Sequence, residues 1–147
     1  MSFEKRIEEL KLQFSKEDGN VRDKNITLEY LDEKTVVTAM PIQKKICTAN
    51  GIVNGLELGV VANCAGAYLA MVQSEFFTPL IRIKEMRYYR PTKLGQDKMV
   101  TATANLLEIR ADEKRKFAVI QIEIKNGTEL KAKGTLEYAL LSKPYLF

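Results

Sequence analysis

The stretch that decides the fold runs from Asn54 to Ser74 and reads NGLELGVVANCAGAYLAMVQS. At helical pitch it makes about five turns. It carries only Glu57, Asn63 and Gln73 as long polar side chains. A helix that is apolar on all sides belongs inside a protein, so the rest of the chain must supply its cover. Gly59, Ala62, Gly66 and Ala70 recur at three- and four-residue steps and predict a face on which neighbouring backbone packs closely. Asn63 has Gly59 and Gly66 as its i−4 and i+3 neighbours, and the pattern predicts that it is buried there. A buried asparagine is either hydrogen-bonded structure or part of a site.

The 147 residues are read as one domain, 1–147, with an N-terminal helix and turn over 1–24 and the core over 25–147. The net charge of +4 is mild, and the basic residues are interspersed with acids. No lysine–arginine run points to nucleic acid. The chain has no histidine, which removes histidine-based triads, general bases and zinc sites, and no metal site is expected. Cys47 and Cys64 are too few for a disulfide framework. The charged opening MSFEKRIEEL is unlike a signal peptide. The apolar core from Leu58 to Val72 falls short of the roughly twenty residues a bilayer requires. The expectation is a soluble cytoplasmic protein that engages neither membrane nor nucleic acid.

In chain order, Phe3, Ile7, Leu10 and Phe14 form the apolar stripe of a surface helix over Phe3–Lys16, and EDGNVRDKN closes it with turns. Ile26, Leu28 and Tyr30 alternate with polar residues, LDEKT turns, and Thr35–Met40 is a second strand that Pro41 ends. Asn54 is the expected N-cap of the long helix. Thr78–Arg90 follows as a strand whose apolar parity changes near Glu85, which predicts a bulge. Pro91–Asp97 is a turn containing Gly95. Two alternating strands follow, from Val100 and from Ala118, and Asn126-Gly127 is a hairpin signal. The last strand places Leu130, Ala132, Leu136, Tyr138 and Leu140 on one face. Lys131, Lys133, Thr135 and Glu137 then face solvent, with Glu129 beside them. The order is helix, two strands, buried helix, four strands: an α+β antiparallel sheet wrapped around one long helix.

With the strand order, the GIVNG entry to the helix and the segment RYYRPTKLGQDKMVTATANLLEI in place, the chain resembles the hotdog-fold acyl-CoA thioesterase superfamily from about Ile26 to Leu141. Tyr88, Pro91, Gly95 and Val100 match that family's aromatic-x-x-Pro turn, glycine and β-branched strand. The departures fall on its chemistry. The family's helix entry is Gly-x-x-His-Gly-Gly with an acid nine residues after the histidine. Here Gly51 and Gly55 hold two glycine places, Asn54 replaces the histidine, Leu56 replaces the last glycine, and Asn63 stands at the acid. Where the family often has a Ser or Thr on the next strand, counting back from Pro91 reaches Ile81, with Thr78 near but out of register.

An amide is neither nucleophile nor base at neutral pH, so the resemblance implies binding and polarisation without efficient hydrolysis. The N–H groups around Gly55 and Leu56 are the oxyanion-hole candidates. VVANCAGAYLA is similar to the helix of the hotdog effector domain of a bacterial fatty-acid-synthesis repressor, which also carries Asn there and binds malonyl-CoA. The chain also resembles a dimeric hotdog protein of the flagellar regulon in epsilon-class bacteria, which implies a motility or virulence role. The resemblance thus implies a regulatory homodimer, extending to a dimer of dimers, that binds a coenzyme A thioester without any covalently held cofactor. Asn54, Gly55, Leu56, Asn63, Arg87 and Arg90 are its expected ligand-binding residues, with Arg82, Lys84 and Lys93 as further candidates for the CoA phosphates. Each of these has a plain alternative: an N-cap, a tight entry or a solvated strand face. Glu57 is the outside candidate for a displaced catalytic base in an atypical thioesterase, and against this stands its simple complementarity to the helix dipole. A structural adaptor without a small ligand is the remaining reading.

Overall fold

The computed structural model describes residues 2–76, 78–94 and 98–142. Gly95–Asp97 of the expected turn lie outside them. The described elements are α1 (Phe3–Ser15), α2 (Asn20–Asp23), β1 (Thr27–Leu31), β2 (Thr35–Pro41), a short 3-10 turn (Lys44–Ile46), α3 (Gly55–Val72), β3 (Leu80–Tyr88), β4 (Met99–Ala111), β5 (Lys116–Asn126) and β6 (Glu129–Leu140). All strand pairs are antiparallel, in the order β1-β2-β4-β5-β6-β3. α3 crosses the concave face of this sheet. Leu58, Val61, Ala65 and Leu69 bury themselves against Val36, Met40, Val100, Ala102, Ile120 and Ile122. This is the antiparallel sheet around one long helix that the alternation predicts, and it is the hotdog fold that the resemblance implies. α3 is long and apolar enough by length and composition to cross a membrane, yet it is the core helix around which the sheet is wrapped.

α1 begins at Ser2, whose side chain accepts from the Lys5 N–H. It lies on α3 through Leu10 and Phe14, which are buried, while Phe3 stands 46% exposed and is not part of the contact. Arg6 donates to the Met71 carbonyl at 2.9 Å, and Tyr68 donates to Glu17 at 2.6 Å. The Phe14 and Tyr68 rings meet edge to face at 5.0 Å. The segment expected as plain turn contains α2, entered through Gly19 at φ +64°.

Bulges correct the simple alternation. β1 shifts register between Leu28 and Tyr30, so Leu31 turns inward and Tyr30 is 52% exposed. β3 shifts between Ile83 and Glu85, where the parity change predicts it. β5 and β6 meet at a two-residue loop, Gly127-Thr128, with Gly127 at φ +62°. β6 departs most from expectation, because Lys131 and Glu137 are buried at 3% and 1% exposure rather than solvent-facing. Lys131 is the extra residue at a register shift, and its ammonium donates to the Pro91 carbonyl at 3.0 Å and to Glu129 at 2.7 Å. Glu137 lies opposite Arg82 of β3, whose guanidinium donates to it twice, at 3.1 and 2.8 Å.

The small-residue face of α3 is used unevenly. A Cβ at Gly66 would lie 2.5 Å from the Tyr138 hydroxyl, whereas one at Gly59 would meet nothing within 4 Å. Gly66→Ala is therefore expected to cost about 1–3 kcal/mol through overpacking. Gly59→Ala should instead gain about 0.5–1 kcal/mol from helix propensity. Urea denaturation of the two variants checks the contrast, and equal effects would show that Tyr138 does not constrain the helix.

Candidate functional site

The start of α3 is held from two sides. The Asn54 N–H donates to the Ile46 carbonyl at 2.9 Å and the Val53 N–H to the Thr92 carbonyl at 2.8 Å. Gly51, at φ +74°, makes the bend between them, and its carbonyl accepts from the Leu94 N–H. Asn54 caps the helix as expected, its Oδ1 accepting from the Leu56 N–H at 3.1 Å. That bond occupies one of the two expected oxyanion donors. The Gly55 N–H has no partner among the described residues, so it is the donor that stands ready. A ligand oxygen that also uses Leu56 must displace the Asn54 side chain.

Around this helix start, Gly55, Leu58, Tyr88, Tyr89, Arg90 and Thr92 help to line a cleft of about 240 Å³. The Tyr88 hydroxyl donates to the Gly55 carbonyl at 3.2 Å, and burial raises its pKa above the ordinary phenol value. Arg90 is 70% exposed and lies 3.9 Å from Glu129. Arg87, also exposed, pairs with Glu85 at 2.6 Å and does not line the cleft. The fold thus brings Arg90, but not Arg87, to the helix start. Arg82 is taken by Glu137. Thr78 is buried before β3, and its hydroxyl has no hydrogen-bond partner among the described residues.

Asn63 is exposed rather than buried. It lies two turns along α3 from Leu56, on a stripe that also carries Val60 and Ala67, and Leu56 itself is 80% exposed. The chain covers α3 with the sheet on one side and α1 on the other and leaves this stripe open. Asn63 is nonetheless fixed. The Tyr138 hydroxyl rises past Gly66 and donates to Asn63 Oδ1 at 2.7 Å. Burial first, and the neighbouring Cys64 second, push the Tyr138 hydroxyl well above the ordinary phenol range, so it stays a donor. With its oxygen engaged, the exposed Asn63 amide has its two N–H groups left to donate. The alternation in the sequence points Tyr138 inward but carries no signal for this partner.

Glu57 leaves the stripe. It forms an ion pair with Lys24 at 3.1 Å, beside the end of α2, and its side chain is 24% exposed. Cys64 is free, and its thiol pKa is pushed up to about 12 by burial and then by the Glu17 charge, which keeps it a protonated packing group. A larger cleft, about 840 Å³, lies elsewhere, between α1–α2 and β1. The helix-start cleft is smaller, and it joins a free backbone donor, aromatic rings and a cation.

Tyr138 and Tyr68 share a raised pKa with burial as its first cause. The folded protein keeps these protons where the unfolded chain loses them. Stability should therefore be intact below about pH 10 and fall above it, by up to about 1.4 kcal/mol per pH unit for each tyrosine. Tyr138→Phe should lower neutral-pH stability by about 1 kcal/mol through the lost hydrogen bond and make the alkaline decline shallower. Urea unfolding from neutral to alkaline pH measures both effects, and an unchanged alkaline slope would contradict the assignment.

No protein-family model matches the sequence, and no curated protein matches it. Solved structures do. The Escherichia coli PaaI protein from the phenylacetic acid degradation operon superposes with a TM-score of 0.80 at 20% identity, covering 98% of this chain and all of that one. A thioesterase from Haemophilus influenzae gives 0.72 at 20% identity, covering 90% of this chain and 88% of its own. A single-residue variant of the phenylacetic acid degradation protein PaaI from Thermus thermophilus gives 0.71 at 20% identity, covering 84% of this chain and 100% of that one. At these identities the likeness is one of fold: the chain shares the hotdog architecture of these structures.

Proposed function

We propose that the protein binds an acyl-CoA or related acyl thioester at the start of α3 and does not hydrolyse it efficiently. The observation that carries this reading is the exposed Asn63, whose Oδ1 is held by the Tyr138 hydroxyl so that its N–H groups remain to donate. Such a group can hold a carbonyl or amide oxygen, but it can neither attack a thioester nor activate water. The Gly55 N–H at the positive end of α3 supplies a second donor for that oxygen. Tyr88, Tyr89 and Arg90 offer aromatic surface and charge to the nucleotide end. Arg87, farther along β3, joins them only if a partner subunit brings the nucleotide to it. The thioesterase among the fold neighbours supports a thioester ligand. Hydrolysis through Glu57 is not favoured, because its carboxylate is paired with Lys24.

The working unit on this reading is a cytoplasmic homodimer, with further pairing of dimers as an extension. Its support is the uncovered surface. Leu56, Val60, Asn63 and Ala67 form an open stripe on an otherwise apolar helix. Edge strand β3 carries Leu80, Ile83 and Tyr88 at 38%, 60% and 49% exposure. An unpaired edge next to exposed apolar side chains calls for a matching edge, and a second copy supplies one. Ligand occupancy between subunits would then change the dimer surface, which is how a regulatory protein, in motility or virulence, would report an acyl thioester.

Titration with a panel of short acyl-CoAs, followed by melting temperature and free thiol in the same samples, tests this. A ligand at one hundred times its Kd should stabilise the fold by about 2.7 kcal/mol and raise the melting temperature, with no thiol release. Asn63→Asp should add slow thiol release if the remaining site can support hydrolysis. Thiol release by the unaltered protein that Glu57→Gln abolishes would make it an enzyme. No thermal shift with any acyl-CoA would leave an adaptor. Ile83→Asp should give a monomer by sedimentation, and an unchanged dimer would move the interface away from β3.

A further inference from the structure

We infer that the buried Lys131 is a positioning residue for the cleft at the start of α3. It takes up the charge of Glu129 and so leaves Arg90 to hold a phosphate of the acyl-CoA proposed above, on whose binding this role rests. Three charges meet here. One carboxylate oxygen, Glu129 Oε1, accepts from the Lys131 ammonium at 2.7 Å and lies 3.9 Å from the Arg90 guanidinium. The shorter contact is a hydrogen bond and the longer one is not. Lys131 is 3% exposed, whereas Arg90 is 70% exposed and lines the cleft. The hydrogen bond from Lys131 is also the first cause that holds Glu129 below the usual carboxylate range, ahead of the Arg90 charge. With Lys131 in place two cations stand against one carboxylate, and the surplus charge lies on the group that reaches solvent. Without it, Glu129 and Arg90 would cancel.

The same lysine fixes the backbone that carries Arg90. Its ammonium donates to the Pro91 carbonyl at 3.0 Å, and its own carbonyl accepts from the Tyr89 N–H at 2.8 Å. Lys131 thus grips the chain on both sides of Arg90. The next residue, Thr92, accepts through its carbonyl from the Val53 N–H at 2.8 Å, one position before the Asn54 cap. One residue of β6 therefore ties the cation to the helix start. A guanidinium presents a planar fork that suits a phosphate, and a carboxylate in full contact would compete for it. By holding the Glu129 oxygen nearest to Arg90, Lys131 keeps that fork available.

Calorimetric titration with acetyl-CoA at low ionic strength, where exposed charges are least screened, tests this on the unaltered protein and three variants. Lys131→Met should weaken binding about threefold to fivefold, the size of one exposed ion pair. Glu129→Gln should tighten it by a similar factor. The double variant Lys131→Met/Glu129→Gln restores the surplus charge and should bind within about twofold of the unaltered protein. A role confined to packing would leave the double variant as weak as Lys131→Met, and that result would overturn the proposal. Glu129→Gln keeps the buried lysine, so it decides the matter even if Lys131→Met does not fold: unchanged affinity there overturns the proposal. Absence of acetyl-CoA binding by the unaltered protein would overturn the ligand reading and this role with it. Binding by the unaltered protein that no variant alters would overturn the role alone.

Discussion

The phenol of Tyr138 reaches Asn63 only because Gly66 has no side chain, and that contact connects the sheet to the exposed face of the core helix. Tyr138 belongs to β6, in the middle of the run β5-β6-β3, and is 1% exposed. Its ring fills the space under α3, and its hydroxyl emerges beside Asn63. The apolar circumference of α3 demands a wrapped sheet, the wrap places Tyr138 under the helix, and Tyr138 fixes the orientation of the amide on the open stripe. Fold and site are parts of one arrangement. An aspartate at position 63 would receive the same hydrogen bond as a carboxylate, so the chemistry of that position depends on one side-chain atom and not on the scaffold.

Much of this was legible in the sequence because periodicity reports what one element needs. α3, its Asn54 cap, the hairpins and the bulge in β3 all follow from local pattern. What periodicity cannot report is the cover supplied by other elements. Lys131 and Glu137 occupy alternating positions that normally face water, yet the 89–92 crossing and Arg82 close over them. Asn63 shows the converse. Its place among small residues reads as buried, but α1 and the sheet approach α3 from flanks that leave this stripe uncovered. The burial of Tyr138 was readable, while its partner was not, since the pairing spans 75 positions of sequence. In β1 a single register shift exchanged the roles of Tyr30 and Leu31, and no residue type announces it.

The two ends of the sheet differ in the kind of contact they offer. At β3 the edge mixes the exposed apolar Leu80, Ile83 and Tyr88 with the charged Lys84, Glu85 and Arg87. At β1 the edge borders a groove under α1 and α2 whose rim carries both cations and acids. The helix start lies on the β3 side, through Tyr88 and Arg90, so ligand and symmetric partner would share surface there. Glu17 links the two regions. It closes the turn after α1, holds Tyr68, and raises the thiol pKa of Cys64, next in sequence to Asn63. Small movements of α1 therefore have a physical route to the stripe.

On the proposed reading Asn63 holds a thioester without breaking it. The Asn63 side-chain amide resonance in a two-dimensional nitrogen–proton spectrum, identified by its loss in Asn63→Asp, tests this during titration with acetyl-CoA. The resonance should shift to saturation while the acetyl methyl signal of the thioester persists. A shift accompanied by steady conversion to free acetate would contradict the claim, and an unmoved resonance would remove Asn63 from the site.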